Sequence, residues 1–196
     1  MPLWIHLPGQ PAQPIEGLSQ IHDLYATILD WFGVEPPTPV HSRSLLPLCR
    51  GEATSVRDEA IYGWFGQGVN ITDGQETYLC QAASPDNVPL EIHSQRWSTA
   101  PWWELPAPDA ALEPGSFMPF TTQPLWRRAL SPADQRPLCQ GSLAGLHPNQ
   151  LFDLRTDPGQ LHPVADDARE QAWRERLRAA LTTLQAPESQ FARLGL

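Results

Sequence analysis

The chain has 196 residues, of which 41% are hydrophobic and 18% charged, a composition that excludes a disordered, solvating polypeptide. No apolar run approaches the roughly 20 residues of a membrane helix, and the first residues lack the basic and apolar segments of a signal peptide. We therefore expect a cytoplasmic protein. The net charge of -9 and the absence of a basic stripe in the sequence make the chain a poor candidate to bind nucleic acids or anionic membranes.

The N-terminal third predicts an α/β unit. Residues 3–7 are a short apolar run with β-favouring Trp and Ile before Pro8-Gly9, which predicts a buried strand and a turn. Residues 19–32 predict an amphipathic helix, with Ser19 as N-cap and Gly33 as the left-handed C-cap. The apolar stripe of this helix consists of Ile21, Leu24, Tyr25, Ile28, Leu29 and Phe32.

The central segments predict a helical turn followed by β-structure. Residues 44–49 favour a short helical turn, in which Pro47 is tolerated because the first turn has no intrahelical donors to lose. Residues 58–81 predict a β-hairpin around Asp73-Gly74. Three glycines thin its first arm, which predicts a bulge or the close approach of another backbone.

The remaining segments alternate between irregular and regular structure. Residues 98–140 contain eight prolines but several aromatic residues, so we predict an ordered coil laid over another surface. Residues 150–154 predict a short strand. Residues 167–184 predict the last helix, with Asp167 and Glu170 at the spacing of a capping box. Its predicted apolar face consists of Trp173, Leu177, Ala180, Leu181 and Leu184.

The residues alone indicate no self-contained active site. The three cysteines, Cys49, Cys80 and Cys139, form no C-x-x-C motif; one disulfide is arithmetically possible, but we expect reduced thiols. No two of the six histidines have the i,i+2 or i,i+4 spacing of a local metal site, although distant residues could still assemble one. Residues 63–68 are glycine-rich without a following helix, and the G-x-S-x-G motif is absent.

Five motifs in order resemble the sulfatase family. Residues 2–9 (PLWIHLPG) resemble a sulfatase strand and turn, and residues 21–30 (IHDLYATILD) resemble the helix that follows, with Ala26 where the family usually has proline. Residues 42–48 (SRSLLPL) with Gly51 resemble the next motif, "GxSLLPLLxG". The last two matches are the hairpin of one bacterial branch, at residues 61–74 (IYGWFGQGVNITDG), and the motif "LYDLexDPxE", at residues 151–160 (LFDLRTDPGQ).

The resemblance implies an alkaline-phosphatase-like α/β fold that hydrolyses sulfate esters. In the family, a formylglycine made from Cys or Ser in C/S-x-P-x-R is the nucleophile, and carboxylate ligands bind a divalent cation, usually calcium. None of Cys49, Cys80 and Cys139 has Pro at +2 and Arg at +4. In the family, the nucleophile and metal ligands precede the strand that residues 2–9 resemble. We therefore expect this chain to contain no catalytic residue and no metal ligand, to be inactive alone, and to come from a truncated gene or a longer reading frame.

The resulting prediction is the C-terminal portion of a sulfatase. Residues 1–57 would complete the main α/β domain, and residues 58–196 would form a small antiparallel β subdomain with a terminal helix. Such a subdomain usually helps to form the substrate pocket in this family, which makes Trp64, His93 and Trp97 candidates to face it. The expected partner is an N-terminal sulfatase half, or a second copy bound through exposed apolar surface.

The alternative is a non-catalytic binding or assembly module that docks on a separate catalytic chain. The helix predicted at residues 19–32 distinguishes the two. A stand-alone module should expose a polar helix face, whereas a sulfatase fragment should expose an apolar one.

Overall fold

The computed structural model describes residues 3–36, 41–95, 112–119, 121–133 and 147–196. The chain divides into two compact units. The N-terminal unit comprises Met1–Ala60 with Thr72–Gly74, and the C-terminal unit comprises Ile61–Ile71 with Gln75–Leu196. The predicted roles of residues 1–57 and 58–196 within a sulfatase stay predictions. The fold combines helices with two small antiparallel sheets and ends in a helix, as predicted at this level.

The N-terminal unit contains helices α1 (Asp23–Trp31) and α2 (Leu46–Cys49), which contact each other. The short helical turn predicted at residues 44–49 is confirmed. The strand predicted at residues 3–7 is wrong, because these residues adopt neither helix nor strand. An apolar run becomes a strand only when a neighbouring strand pairs with it, and none of the described segments does so.

Helix α1 is shorter at its start than predicted. Its N-cap is His22, without a side-chain hydrogen bond, and Ser19 does not cap it. The preceding residues form tight turns instead, in which the Asp23 backbone N–H donates to the Gln20 carbonyl (2.9 Å). The predicted end is confirmed: Gly33 has φ +66°, and Val34 N–H donates to Leu29 O at 2.9 Å, as in a Schellman motif.

The apolar stripe of α1 is largely exposed, contrary to the usual expectation for a core-facing helix. Four apolar side chains spaced three or four residues apart are 46–73% exposed, and we call them the apolar α1 face: Ile21, Tyr25, Ile28 and Phe32. The buried residues are Asp23, Ala26 and Thr27. Thr27 Oγ1 accepts from Leu45 N–H (2.9 Å), so a polar contact links α1 to the start of α2.

The first sheet has the strand order β1-β2-β3-β7: β1 is Ala60–Gly63, β2 Val69–Thr72, β3 Glu76–Cys80 and β7 Gln150–Asp153. Asp73-Gly74 joins β2 to β3, and Gly74 has φ +87°, which confirms the predicted hairpin. The strand predicted at residues 150–154 is also confirmed, antiparallel to β3.

The second sheet has the order β4-β6-β5: β4 is Leu90–Ser94, β5 Glu113–Gly115 and β6 Leu125–Leu130. The prediction of coil throughout residues 98–140 is therefore wrong for β5 and β6. These strands exist through pairing of β6 with β4 and β5, which the proline-rich sequence did not reveal. Trp97, Trp102, Trp103 and Phe120 lie outside the described residues.

Two helices complete the C-terminal unit: α3 (Asp167–Thr183) and α4 (Glu188–Leu194). Helix α3 is confirmed, but its cap is Asp166, whose side chain accepts from Arg169 N–H, rather than a box of Asp167 and Glu170. Helix α4 was not predicted. The core consists of residues from the first sheet and both helices: Ile71, Tyr78, Cys80, Leu151, Trp173, Leu177, Ala180, Leu181 and Leu194. As predicted, Cys49 and Cys80 are free thiols, whereas Cys139 lies outside the described residues.

Candidate functional site

A cleft of about 540 Å³ opens on the C-terminal unit. Three segments line it: the β1–β2 connection, the start of β4, and the stretch from the end of α3 through α4. Its aromatic residues come from the first segment and its polar side chains from the other two. Clefts that combine apolar walls with a few polar groups are the usual form of small-molecule binding sites.

The aromatic wall is unusually exposed. Trp64 is 81% exposed, and Phe65 beside it is 44% exposed. Both lie on a turn closed by a hydrogen bond from Gln67 N–H to Trp64 O (3.0 Å). Tyr62 precedes the turn, and its hydroxyl lies 2.6 Å from Thr77 Oγ1. Large aromatic side chains left in solvent next to a cleft are typical of a surface that contacts a ligand or partner.

Two glycines flank the turn because other backbone approaches too closely for a side chain. A Cβ on Gly63 would lie 2.6 Å from Gly68 O, and one on Gly68 would lie 2.7 Å from Cys80 O. The close backbone approach predicted for this arm is thus confirmed. A side chain at either glycine would therefore clash with the neighbouring backbone.

The polar wall is built on β4. Glu91 and His93 are two residues apart and so share one face of the strand. Glu91 accepts a hydrogen bond from the Ser189 hydroxyl of α4 (2.8 Å) and lies 3.7 Å from the Arg127 guanidinium. Its carboxylate is 3.9 Å from His93 Nε2. The imidazole also stacks at a tilt on Phe117, with 5.6 Å between the ring centroids.

The His93 imidazole favours its neutral form. Burial lowers its pKa, and the nearby Arg127 charge lowers it further, while Glu91 opposes both. The net pKa lies below the ordinary 6.5. Near neutral pH the ring therefore offers one hydrogen-bond donor and one acceptor rather than a positive charge.

The cleft is poorly suited to bind an anion. The guanidinium of Arg193, which lines it, is buried, and its Nη1 already donates to Asn87 Oδ1 (2.8 Å) and Gln67 O (3.1 Å). The guanidinium of Arg127, beside Glu91, already pairs with Glu113. The carboxylate of Glu91 would repel a sulfate group placed beside it. Aromatic surface, a neutral imidazole and hydroxyl groups instead suit an uncharged organic group.

Two of the three residues selected from the sequence, Trp64 and His93, line this cleft, whereas Trp97 lies outside the described residues. Sequence analysis missed Glu91, although its two-residue spacing from His93 was a usable signal. It also missed Ser189 and Arg193. No local pattern indicates them, because they reach the cleft only through the packing of α4.

The calcium that the resemblance implies is not matched by the described residues. They contain no group of three or more His, Cys, Asp or Glu side chains that could bind a metal ion. Within the same residues, no helix is long and apolar enough to cross a membrane.

Comparisons with known proteins give weak structural similarity and no match in sequence. No family model and no curated protein matches the chain. The fold is similar, with a TM-score of 0.44 and 16% sequence identity, to a Bacteroides thetaiotaomicron sulfatase from a core genetic locus for the metabolism of multiple glycosaminoglycans. The similarity covers 82% of this chain and 24% of that protein, so the chain spans about a quarter of its length.

Proposed function

We propose that this chain is the C-terminal portion of a sulfatase-family hydrolase with an alkaline-phosphatase-like α/β fold. Its cleft contacts the organic part of a sulfate ester, while the nucleophile and the metal ligands lie in another part of the enzyme. The order of the five sequence motifs supports the family. The chain contributes to the choice of substrate and not to the chemical step.

The observation that carries this proposal is the placement of Trp64 and His93 in one cleft with Glu91. The exposed indole offers an apolar face to an organic ring, and the imidazole and carboxylate offer hydrogen bonds to its substituents. The negative charge of Glu91 disfavours the sulfate itself. The cleft is thus chemically suited to the leaving group.

The proposal is tested by ligand-observed NMR on the full 196-residue chain. The probes are p-nitrophenyl sulfate, p-nitrophenol and inorganic sulfate. We expect saturation transfer to the aromatic protons of both nitrophenyl compounds, and no competition by inorganic sulfate. Trp64→Ala should abolish the transfer, while Leu161→Ala, an equally exposed apolar residue that does not line the cleft, should leave it unchanged. Displacement by inorganic sulfate would contradict the proposal.

Catalysis is tested separately. The purified chain should not hydrolyse p-nitrophenyl sulfate, with or without added calcium, because it lacks the formylglycine motif. Without a nucleophile the transition state has no specific source of stabilisation. Turnover that follows the chain through every purification step would show that it contains a catalytic group.

The exposed apolar α1 face favours the fragment over the alternative of a stand-alone module, which should present a polar face there. We propose that the N-terminal half of the sulfatase covers this face in the intact enzyme and that the isolated chain self-associates through it. Ile28→Ser with Phe32→Ser should reduce self-association, measured by light scattering after gel filtration, and also the binding of a hydrophobic dye. Leu161→Ser is the control in the C-terminal unit. A monodisperse wild-type chain that binds no dye would contradict the proposal.

A further inference from the structure

The turn that carries Trp64 is bound by two residues that lie far away in the sequence. Asn87 Nδ2 donates to Gly66 O (2.7 Å), and Arg193 Nη1 donates to Gln67 O (3.1 Å). The same Arg193 nitrogen also donates to Asn87 Oδ1 (2.8 Å). The two side chains thus form a connected pair that reaches two consecutive carbonyls of one turn.

Both members of the Asn87–Arg193 pair are buried, at 0% and 2% exposure. Burying a guanidinium and an amide is costly unless their hydrogen bonds are made. Asn87 also adopts a left-handed backbone, with φ +53°, which side chains other than Asn, Asp and Gly rarely accept. The cost of burying this guanidinium and this amide is thus offset by hydrogen bonds that include those to the backbone of an exposed turn.

The pair is itself anchored at both ends. Asn87 N–H closes a turn on Ser84 O (2.9 Å), and Ala83 N–H donates to the Arg193 carbonyl (2.8 Å). Arg193 Nε donates to Gln190 Oε1 (3.2 Å) one turn earlier in α4. Hydrogen bonds thus connect the segment before β4 to helix α4 through the same two residues that bind the turn.

We infer that Asn87 and Arg193 are positioning residues that fix the 64–67 turn, and with it the Trp64 ring, at the cleft. The Trp64 side chain is too exposed for its own packing to determine its position, so the backbone of the turn must do so. A binding surface held in place before the ligand arrives loses less conformational entropy on binding. The inference rests on the proposed function only in treating the cleft as a binding site.

A purely structural role is the competing explanation, in which the pair only attaches α4 to the rest of the unit. The two roles differ in what a substitution does to Trp64. Asn87→Asp keeps the shape and an acceptor for Arg193, but replaces the donor to Gly66 O with a second acceptor. It removes the contact of residue 87 to the turn and keeps its contact to Arg193 of α4.

The experiment uses the full chain labelled with 5-fluorotryptophan and followed by fluorine NMR. The Trp64 signal is assigned by its loss in Trp64→Phe. We expect Asn87→Asp and Arg193→Met to shift or broaden the Trp64 signal and to speed amide exchange at residues 66–68. Arg193→Lys, which keeps a donor, should restore part of the wild-type signal. Arg174→Met is the matched control, because Arg174 also donates to a backbone carbonyl, but to that of Gly195 rather than to one of the turn.

A second readout is affinity for p-nitrophenol, which should fall by about 2- to 10-fold in Asn87→Asp, the cost of one side chain that must be ordered on binding. A Trp64 signal identical to wild type in Asn87→Asp would overturn the inference, whatever happens to stability. That variant also decides the question if Arg193→Met does not fold. If wild-type chain fails to bind the probe, the proposed function fails, but the fluorine signal and the amide exchange still test the pair.

Discussion

The main helix of each unit buries a different face: the apolar face in the C-terminal unit, and a face with polar residues in the N-terminal unit. In the C-terminal unit, α3 buries its apolar residues Trp173, Leu177 and Leu181 in the core. In the N-terminal unit, α1 buries Asp23 and Thr27, and the apolar α1 face lies in solvent. Both helices have an apolar and a polar face in sequence, so amphipathicity alone does not account for the difference. It comes from what each unit can place against them.

The comparison shows that an amphipathic pattern predicts a helix but not which face its own chain covers. The C-terminal unit supplies a sheet and a second helix for α3, and its core is built from long-range contacts. In the N-terminal unit, α1 instead contacts the short helix α2, and its Asp23 pairs with Arg57. Its apolar α1 face stays exposed, which is the basis of the proposal that an N-terminal sulfatase half covers it.

The largest expected difference between the units is in core truncation. Leu177 is fully buried, so Leu177→Ala should lower the free energy of unfolding by roughly 2–5 kcal/mol through lost burial and a residual cavity. Ile28→Ala removes a similar side chain from the exposed face and should change it by less than about 0.5 kcal/mol. Urea unfolding followed by circular dichroism measures both. Equal losses would show that Ile28 is packed in the isolated chain.

The N-terminal unit should depend most on a buried charge. Both Asp23 oxygens accept hydrogen bonds, Oδ1 from Arg43 N–H (2.8 Å) and Oδ2 from Gln20 N–H (2.7 Å), and Arg57 pairs with both oxygens. Arg57→Ala leaves the fully buried carboxylate without its cation. We expect a loss of about 3 kcal/mol, the low end for a broken buried pair, because Arg57 itself is partly exposed.

The matched control for this variant is Arg50→Ala, which removes an exposed arginine of the same unit. It should change the urea midpoint only slightly. If the two variants lose equal stability, the Asp23–Arg57 pair does not stabilise the unit.

One group in each unit should give the stability a pH dependence of opposite sign. Burial raises the pKa of Asp23, but the hydrogen bonds from Arg43, Gln20 and Arg57 outweigh it, and the net pKa lies below 3.8. This contribution is present above pH 3.8 and is lost as the pH falls through the lower, folded-state pKa. In the C-terminal unit, burial raises the pKa of the Cys80 thiol from 9.0 to about 11. The folded state keeps the proton longer there, so stability is lost as the pH rises from 9 to about 11.

Thermal unfolding across the pH range measures both effects. Asp23→Asn should reduce the part of the acid limb that Asp23 causes, and Cys80→Ala should reduce the part of the alkaline limb that Cys80 causes. The acid loss that remains in Asp23→Asn should come from groups such as Asp153, whose pKa is lowered to about 2. Part of the alkaline loss should remain in Cys80→Ala, because burial also raises the pKa of Tyr78 above its ordinary 10. An unchanged acid limb in Asp23→Asn would refute the assignment to this carboxylate.

Local signals predicted much of the fold, and non-local ones account for the misses. Asp73-Gly74 and Gly33 specify their turns by backbone conformation alone, so the hairpin and the end of α1 were predictable. Strands β5 and β6 depend on pairing with β4, and a proline-rich stretch gives no local sign of it. The strand predicted at residues 3–7 failed for the converse reason, because a β-favouring run forms no strand without a partner.

The candidate site divides in the same way. Trp64 and His93 were selected through the family resemblance, and both line the cleft. Glu91 lies two residues from His93 and could have been found from the alternation of β4. Asn87 and Arg193 are 106 positions apart, and only the folded chain shows that they bind the same turn.

The smallest expected difference concerns the helix starts. Asp166 caps α3, since its Oδ1 accepts from Arg169 N–H at 3.0 Å, whereas α1 begins at His22 with no side-chain cap. Asp166→Ala should therefore cost about 1 kcal/mol of unfolding free energy. Ser19→Ala should cost almost nothing, although the sequence predicted Ser19 as the cap of α1.

Asp166→Asn tests the origin of the effect, because it keeps the acceptor and removes the charge that favours a helix N-terminus. It should recover most of the loss, and a loss as large as in Asp166→Ala would assign the stabilisation to charge rather than to the hydrogen bond. A measurable cost of Ser19→Ala would instead mean that α1 extends toward residue 19 in solution, and the two helices would then start alike.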